Sequence, residues 1–296
     1  MKAAIIDIGT QSIKYYIFNI EKHSRKILHF ERFSAANLGG LDYISDEAME
    51  RGLIILKEIF LNNKKEEIEF VRILGTDVLR KSKNVIDFIE KVKNIFNVNV
   101  EIISQDDEAK YLFQGFTDLI PDNFSLAAVN IGGGSTEFVW GEKNKFSGFL
   151  KMPFGAKYLK QLFSDEVGKT NWEEMEQYLA EKIPVDENLH INNLFITGVL
   201  SFIDSIKEKL NLVYELSDII NHPFKISHLE YRHFVETLRQ TPLSELKAIY
   251  KIDPDFCDHV AVGQSVYLAI AEKLGVRWII PSNNDLADGA IKEENK

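Results

Sequence analysis

The sequence predicts an α/β protein folded in two lobes. Three observations predict it: segments of β-propensity alternate with amphipathic helical segments, one strand–turn–strand pattern occurs twice at a fixed spacing, and the chain is long for a single core. At 296 residues one hydrophobic core usually stops growing. The lobes are expected at 1–120 and 121–296, the break falling at Pro121-Asp122-Asn123, with the last helix free to pack back on the first lobe. A composition of 45% hydrophobic and 27% charged residues excludes a disordered or fibrous chain.

The repeated pattern appears when the start of the chain is laid on its middle. Ile5-Ile6-Asp7-Ile8-Gly9-Thr10-Gln11-Ser12 falls on Ala128-Val129-Asn130-Ile131-Gly132-Gly133-Gly134-Ser135 at a constant offset of 123 residues. Each copy is an apolar strand, a Gly/Ser/Thr/Asn turn and a returning strand, Ile13 to Phe18 and Glu137 to Trp140, hence a β-hairpin. Glycine at the tips lets an anion approach the backbone, and Ser12 and Ser135 add hydroxyls, so each tip is a plausible phosphate cradle. One tip per lobe would face the other across a cleft.

The remaining elements follow in order. Ser45-Asp46-Glu47 opens a helix whose apolar face reads Met49, Leu53, Leu56 and Phe60. Phe70 to Leu74 is a strand, Val85 to Phe96 a helix facing inward through Val85, Phe88, Ile89, Val92 and Ile95, and Val98 to Ile103 an alternating strand. Beyond Gly155 the pattern is mostly helical: Ala156 to Phe163, Trp172 to Lys182, Leu200 to Leu210, His228 to Arg239, Pro242 to Ile249 and Val260 to Lys273. Short strands at Leu194 to Thr197 and Trp278 to Pro281 interrupt it.

With 35 Lys+Arg against 45 Asp+Glu the net charge is −10, which argues against nucleic acid or anionic membrane bound through bulk charge. A phosphorylated ligand would have to be held by local N–H groups and a few placed cations. The single thiol, Cys257, cannot form an internal disulfide, the N-terminus meets Asp7 before a signal-type apolar region develops, and no apolar run approaches the roughly 20 residues of a membrane span. A soluble cytoplasmic protein is expected.

Several residues could carry chemistry. Asp7, beside a phosphate cradle, suits Mg²⁺, which takes one or two carboxylates plus phosphate oxygens; it also suits a turn acid accepting backbone N–H bonds. Asn130 holds the matching place with an amide oxygen but no charge. Arg80 presents a planar fork for phosphate, followed by Lys81 and Lys83, with Asn84 placed to cap the next helix. Ser104 and Asp107 fit a capping box, while Asp106, Asp107 or Glu108 could instead act as general base toward a water. Glu137 lies on the strand face of Ser135 and could orient water or metal. His222, His228, His233, Asp253, Asp255, Cys257, Asp258 and His259 match no defensible zinc spacing and are expected to be separate side chains.

Taken together, these segments resemble the exopolyphosphatase and guanosine pentaphosphate phosphatase (Ppx/GppA) family. Ile6 to Ser12 is similar to its I-D-[IL]-G-S-N-S, Gly75 to Arg80 with Asn84 to A-T-[SA]-A-[LV]-R-x-A-x-N, and Ile103 to Ala109 to I-S-G-x-E-E-A. Val129 to Glu137 resembles [IV]-D-I-G-G-G-S-T-E, and Pro153-Phe154-Gly155-Ala156 resembles P-[LI]-G-[AC]. The resemblance implies an actin-like, ribonuclease H-like ATPase fold with a cleft between lobes, and Mg²⁺-assisted hydrolysis of a terminal phosphoanhydride of polyphosphate or a guanosine polyphosphate. It implies phosphate binding by Thr10, Gln11, Ser12, Arg80, Gly133, Gly134, Ser135 and Thr136, metal binding by Asp7 and Asn130, and catalysis by Asp107, to which the strand position of Glu137 adds a second candidate catalytic acid. It allows a homodimer.

The departures bear on turnover. Asp107 is one methylene shorter than the family glutamate, Asn130 replaces a carboxylate and Gln11 an asparagine. Thr197-Gly198-Val199-Leu200 lacks the second glycine and the threonine of G-T-G-G-T, and Asn283 to Gly289 lacks the arginine and glutamate of S-D-x-x-L-R-E-G. Three readings remain: a phosphohydrolase, a weakly catalytic sensor of the same anions, and a sugar kinase, whose opening motif Asp7 to Ser12 also resembles.

Overall fold

The computed structural model describes residues 1–21, 24–39, 42–121, 124–143, 145–165, 169–184, 189–219 and 221–293. Of the expected lobe break, Asp122 and Asn123 lie outside them. By compactness the chain divides between Glu108 and Ala109, into unit 1 (Met1–Glu108 with the segment from Ala290 onward) and unit 2 (Ala109–Gly289).

Unit 1 carries β1 (Lys2–Ile8), β2 (Ile13–Glu21), β3 (Ser24–Phe33), α1 (Asp46–Lys65), β4 (Phe70–Gly75), α2 (Asp77–Lys81), α3 (Val85–Phe96), β5 (Val100–Ile102) and the start of α4 (Gln105–Gln114). Its strands lie in the order β3-β2-β1-β4-β5. β1 is antiparallel to β2 and parallel to β4, and its residues 3 to 8 are all buried, as befits a strand covered on both faces. Its core joins Ile6, Ile8, Tyr15, Leu56, Ile73 and Phe88.

Unit 2 carries β6 (Ser125–Ile131), β7 (Thr136–Glu142), β8 (Lys145–Met152), α5 (Ala156–Phe163), α6 (Trp172–Lys182), β9 (Asn193–Ile196), α7 (Leu200–Ile206), β10 (Glu215–Leu216), β11 (Phe224–Ser227), α8 (His228–Gln240), α9 (Leu243–Ile249), α10 (Cys257–Leu274), β12 (Trp278–Pro281) and the first half of α11 (Leu286–Glu293), whose second half belongs to unit 1. The strand order is β10-β11-β12-β9-β6-β7-β8. Its segment β8-β7-β6-β9-β12 repeats the order and pairing senses of unit 1, with β6 antiparallel to β7 and parallel to β9. The internal repeat is therefore one of topology as well as sequence. Asp7 pairs with Lys14 across the first hairpin as Asn130 pairs with Glu137 across the second, and Gly9 N–H donates to Ser12 O as Gly132 N–H donates to Ser135 O.

The structure shifts several local expectations. α1 buries Met49, Gly52, Leu56, Ile59 and Asn63 most deeply, while Leu53 and Phe60 are partly buried against the same core, Phe60 stacking on Phe96. In α3, Phe88 and Val92 are buried but Ile95 is 58% exposed, because α3 contacts its sheet along a narrow stripe. Asn84 occupies the N-cap position of α3 without capping it; its amide clamps the N–H and C=O of Ile44. β5 is short and α7 ends at Ile206. The sequence reading passes over β3 and β8, outer strands whose charged residues blur the alternation that marks an inner strand.

Candidate active site

Each hairpin tip is pinned from one side so that consecutive N–H groups face the other. A trans peptide points its C=O and the following N–H in opposite directions, and none of the described peptides is cis. In unit 1, Thr10 O accepts from Gly39 N–H at 2.8 Å and Gln11 O from Asn37 N–H at 2.9 Å. The N–H groups of Gln11 and Ser12 therefore turn away from the 37–39 segment. In unit 2, Gly132 O accepts from Ala156 N–H at 2.9 Å and Gly133 O from Tyr158 N–H at 3.1 Å. The N–H groups of Gly133 and Gly134 turn away from α5. Such runs of backbone N–H are anion-binding concavities.

Gly155 permits the second arrangement. A Cβ there would lie 2.3 Å from Gly132 O, 2.6 Å from Gly133 C and 2.7 Å from Gly134 N, so only glycine lets the glycine-rich tip seat on the start of α5. The hydroxyls beside this tip are used internally: Ser135 donates to Glu137 Oε1 at 2.7 Å, and Thr136, fully buried, donates to Phe154 O at 2.8 Å. The second cradle is thus made of backbone N–H groups, and its two hydroxyls brace it. In unit 1 the Gln11 Oε1 is buried and accepts no hydrogen bond among the described residues.

Thr76 ties the next element to the first tip, donating to Ile8 O through both N–H (3.1 Å) and Oγ1 (3.2 Å). α2 starts from that anchor and carries Arg80. Its Nη2 pairs with Glu108 Oε2 at 2.6 Å, its Nη1 donates to Ile103 O at 2.9 Å, and its buried Nε has no acceptor among the described residues. Glu108, 5% exposed, is therefore the acid that holds Arg80. Asp107, half-buried beside it, accepts from Ser104 Oγ at 2.6 Å, and its own N–H donates to the same hydroxyl at 3.1 Å. The Ser104 hydroxyl thus supplies the N-cap half of the expected box and orients the Asp107 carboxylate. Lys81 pairs with Asp77, and Lys83 with Asp42.

Of the metal candidates, Asp7 is 5% exposed, with Lys14 Nζ 3.7 Å from its Oδ2. A single carboxylate at the end of a strand supplies an oxygen donor of the kind Mg²⁺ takes. Asn130 does not: its Oδ1 accepts from Thr197 Oγ1 at 2.9 Å and its Nδ2 donates to Glu137 Oε2 at 3.2 Å. Glu137 lies on the Ser135 side of the strand, as alternation predicts, and is 3% exposed.

At the far end of the chain, Cys257 is buried and its thiol is pushed up to about 11 by burial, leaving it unreactive. His222 is buried against Phe116 and Phe195 with Nε2 2.8 Å from Ser282 Oγ. Burial, with help from Lys160, lowers His259 to about 4.

Residues 15–296 match the Ppx/GppA phosphatase family. The chain belongs to that family. Among relatives, a bifunctional 3-dehydroquinate synthase/phosphatase of Fusobacterium nucleatum is 28% identical across 99% of this chain and 47% of its own length. A guanosine-5'-triphosphate,3'-diphosphate pyrophosphatase of Photobacterium profundum is 30% identical across 55% of this chain and 33% of its own. The chain thus spans half or less of these curated relatives. The solved structure of an exopolyphosphatase from Cytophaga hutchinsonii superposes with TM-score 0.86 at 22% identity, covering 100% of this chain and 98% of that one. The Aquifex aeolicus Ppx-GppA enzyme gives 0.73 at 22% identity, covering 99% of both. These likenesses fix the fold as the two-domain α/β architecture of Ppx/GppA structures. No helix among the described residues is long and apolar enough to cross a membrane.

Several features of this candidate site carry only a weak signal in the sequence. Glu108 is seen there only as an alternative acid, although its pairing with Arg80 is what fixes the guanidinium. Lys14 is found through the 123-residue offset, which aligns it in sequence with Glu137. Thr197 enters only as part of a degenerate glycine motif, yet its hydroxyl orients Asn130. The pins on the first tip, Asn37 and Gly39, carry no sequence signature.

Proposed function

We propose that this protein is a phosphohydrolase that cleaves terminal phosphoanhydride bonds of inorganic polyphosphate or a guanosine polyphosphate. The observation that carries the reading is the pair of hairpin tips whose carbonyls are pinned behind them, so that successive N–H groups of Gln11 and Ser12, and of Gly133 and Gly134, are fixed before any anion arrives. Preorganised N–H groups suit a chain of phosphates on a protein whose net charge is −10.

Arg80, held in its fork by Glu108 and Ile103 O, would supply the placed cation. Asp107 would take the proton from the attacking water, its carboxylate steadied by Ser104. Mg²⁺ would be held by Asp7 and would neutralise charge on the phosphate oxygens. The protein is proposed to work in the cytoplasm, where such substrates occur, and neither nucleic acid nor membrane is a proposed partner.

One observation favours the sensor reading: the short Asp107 side chain is drawn onto Ser104 within its own helix turn.

The test is phosphate release from polyphosphate and from guanosine pentaphosphate by wild type, Asp107→Ala and Asp107→Glu. Turnover that falls at least about 10²-fold in Asp107→Ala and persists in Asp107→Glu assigns the base. Tight binding of both compounds with no release in any of the three proteins would replace the hydrolase with the sensor.

A further inference from the structure

The two hairpins place a carboxylate at the same cross-strand position but on opposite strands. Asp7 faces Lys14 in the first, and Asn130 faces Glu137 in the second. Each hairpin thus holds one carboxylate against one hydrogen-bond donor: an ammonium in unit 1, an amide in unit 2.

The amide of Asn130 is oriented by chemistry at both ends. Thr197 is fixed by its N–H to Val129 O (3.0 Å) and by Tyr267 OH donating to its carbonyl (2.9 Å), and its hydroxyl donates to Asn130 Oδ1 at 2.9 Å. Asn130 Nδ2 faces Glu137 Oε2 at 3.2 Å. Reversing the amide would set an acceptor oxygen against a carboxylate, so the orientation follows from the partners. Glu137 Oε1 meanwhile accepts from Ser135 Oγ at 2.7 Å. The Asn130 oxygen and both Glu137 oxygens therefore each accept an internal donor.

We propose that the Asn130 amide takes the place of a divalent cation beside Glu137, so that the second hairpin tip binds its anion without metal, and that a single change, Asn130→Asp, would create a cation site there. An aspartate in this position faces Glu137 with like charge, and a bound cation relieves that repulsion. The inference concerns the loop itself and holds whichever phosphate compound the protein takes.

The experiment titrates Mn²⁺ into the full chain, followed by paramagnetic resonance, with no phosphate compound present. Wild type is compared with Glu137→Gln, Asn130→Asp and Asn130→Asp/Glu137→Gln. Wild type and Glu137→Gln should bind Mn²⁺ with equal stoichiometry and affinity, Asn130→Asp should bind one further equivalent, and the double variant should lose it. In chelator, Asn130→Asp should melt below wild type, and Mg²⁺ should restore the difference. Loss of Mn²⁺ from Glu137→Gln relative to wild type, or no added equivalent in a folded Asn130→Asp, would overturn the proposal. If Asn130→Asp fails to fold, the first comparison decides alone: equality sustains the proposal and loss overturns it.

Discussion

Replacing Gly155 with alanine tests whether the glycine-rich tip owes its shape to the start of α5. The new Cβ would sit 2.3 Å from Gly132 O, where ordinary contact begins at about 3.4 Å, so the tip and the helix must part by about 1 Å. All three nearest atoms belong to the backbone, so no side chain can rotate out of the way. Overpacking of this kind costs about 1–3 kcal/mol. A displacement of about 1 Å in a group that positions substrate costs about 10²-fold in rate. Urea unfolding measures the first effect, and kcat/KM for phosphate release from polyphosphate measures the second. Gly263→Ala is the control: it lies in α10, its added Cβ would meet only Ala156 Cβ at 3.8 Å, and the helix gains about 0.5–1 kcal/mol from alanine. Gly155→Ala with the stability and kcat/KM of wild type would refute the reasoning, because the tip would then not depend on close seating against α5.

Two further predictions concern charge. Glu108→Ala removes the closer carboxylate of a guanidinium that is only 14% exposed, and a buried pair broken on one side costs about 3–5 kcal/mol; urea unfolding that changes by less than about 1 kcal/mol would show that Asp77, 3.9 Å away, suffices to hold Arg80. His259 is held neutral by burial, its folded value lowered to about 4 from 6.5, so the unfolded chain binds the extra proton in that window. Stability from this group is present above about pH 6.5 and is lost as pH falls toward 4, by about 3 kcal/mol in all. His259→Gln should therefore lose less stability than wild type between those pH values, and parallel losses would exclude His259 as the source.

Much of the fold is legible because local signals and tertiary packing agree. The ends of α5 and α6 fall where the 3.6-residue pattern places them, and Ser45 caps α1 as its position suggests, its Oγ accepting from Ala48 N–H at 3.2 Å. The face of α1 is legible in Met49 and Leu56, while Leu53 and Phe60, as apolar as the residues that become fully buried, pack at its margin. Only the neighbours decide: Leu38 and Phe88 close on Gly52, where a larger side chain would collide.

What the sequence determines by itself is the repeat. The offset that superposes the two hairpins shows that one strand–turn–strand unit is used twice, and glycine at the tips follows from the close backbone approach an anion requires. The assignment of the acids is different, since Asp106, Asp107 and Glu108 are adjacent and chemically alike. Helical geometry turns neighbouring residues about 100° apart, and the contacts of unit 1 then bury Glu108 against Arg80 and leave Asp107 half-exposed on Ser104. Asn130 follows the same rule. Its sequence position suggests a poor metal ligand, but the donors and acceptors that the β6–β7 hairpin and Thr197 bring within hydrogen-bonding distance make its amide the partner of Glu137. Local pattern fixes which elements form, because it acts through near neighbours in the chain; the role of each polar group is set by partners distant in sequence, which only folding brings together.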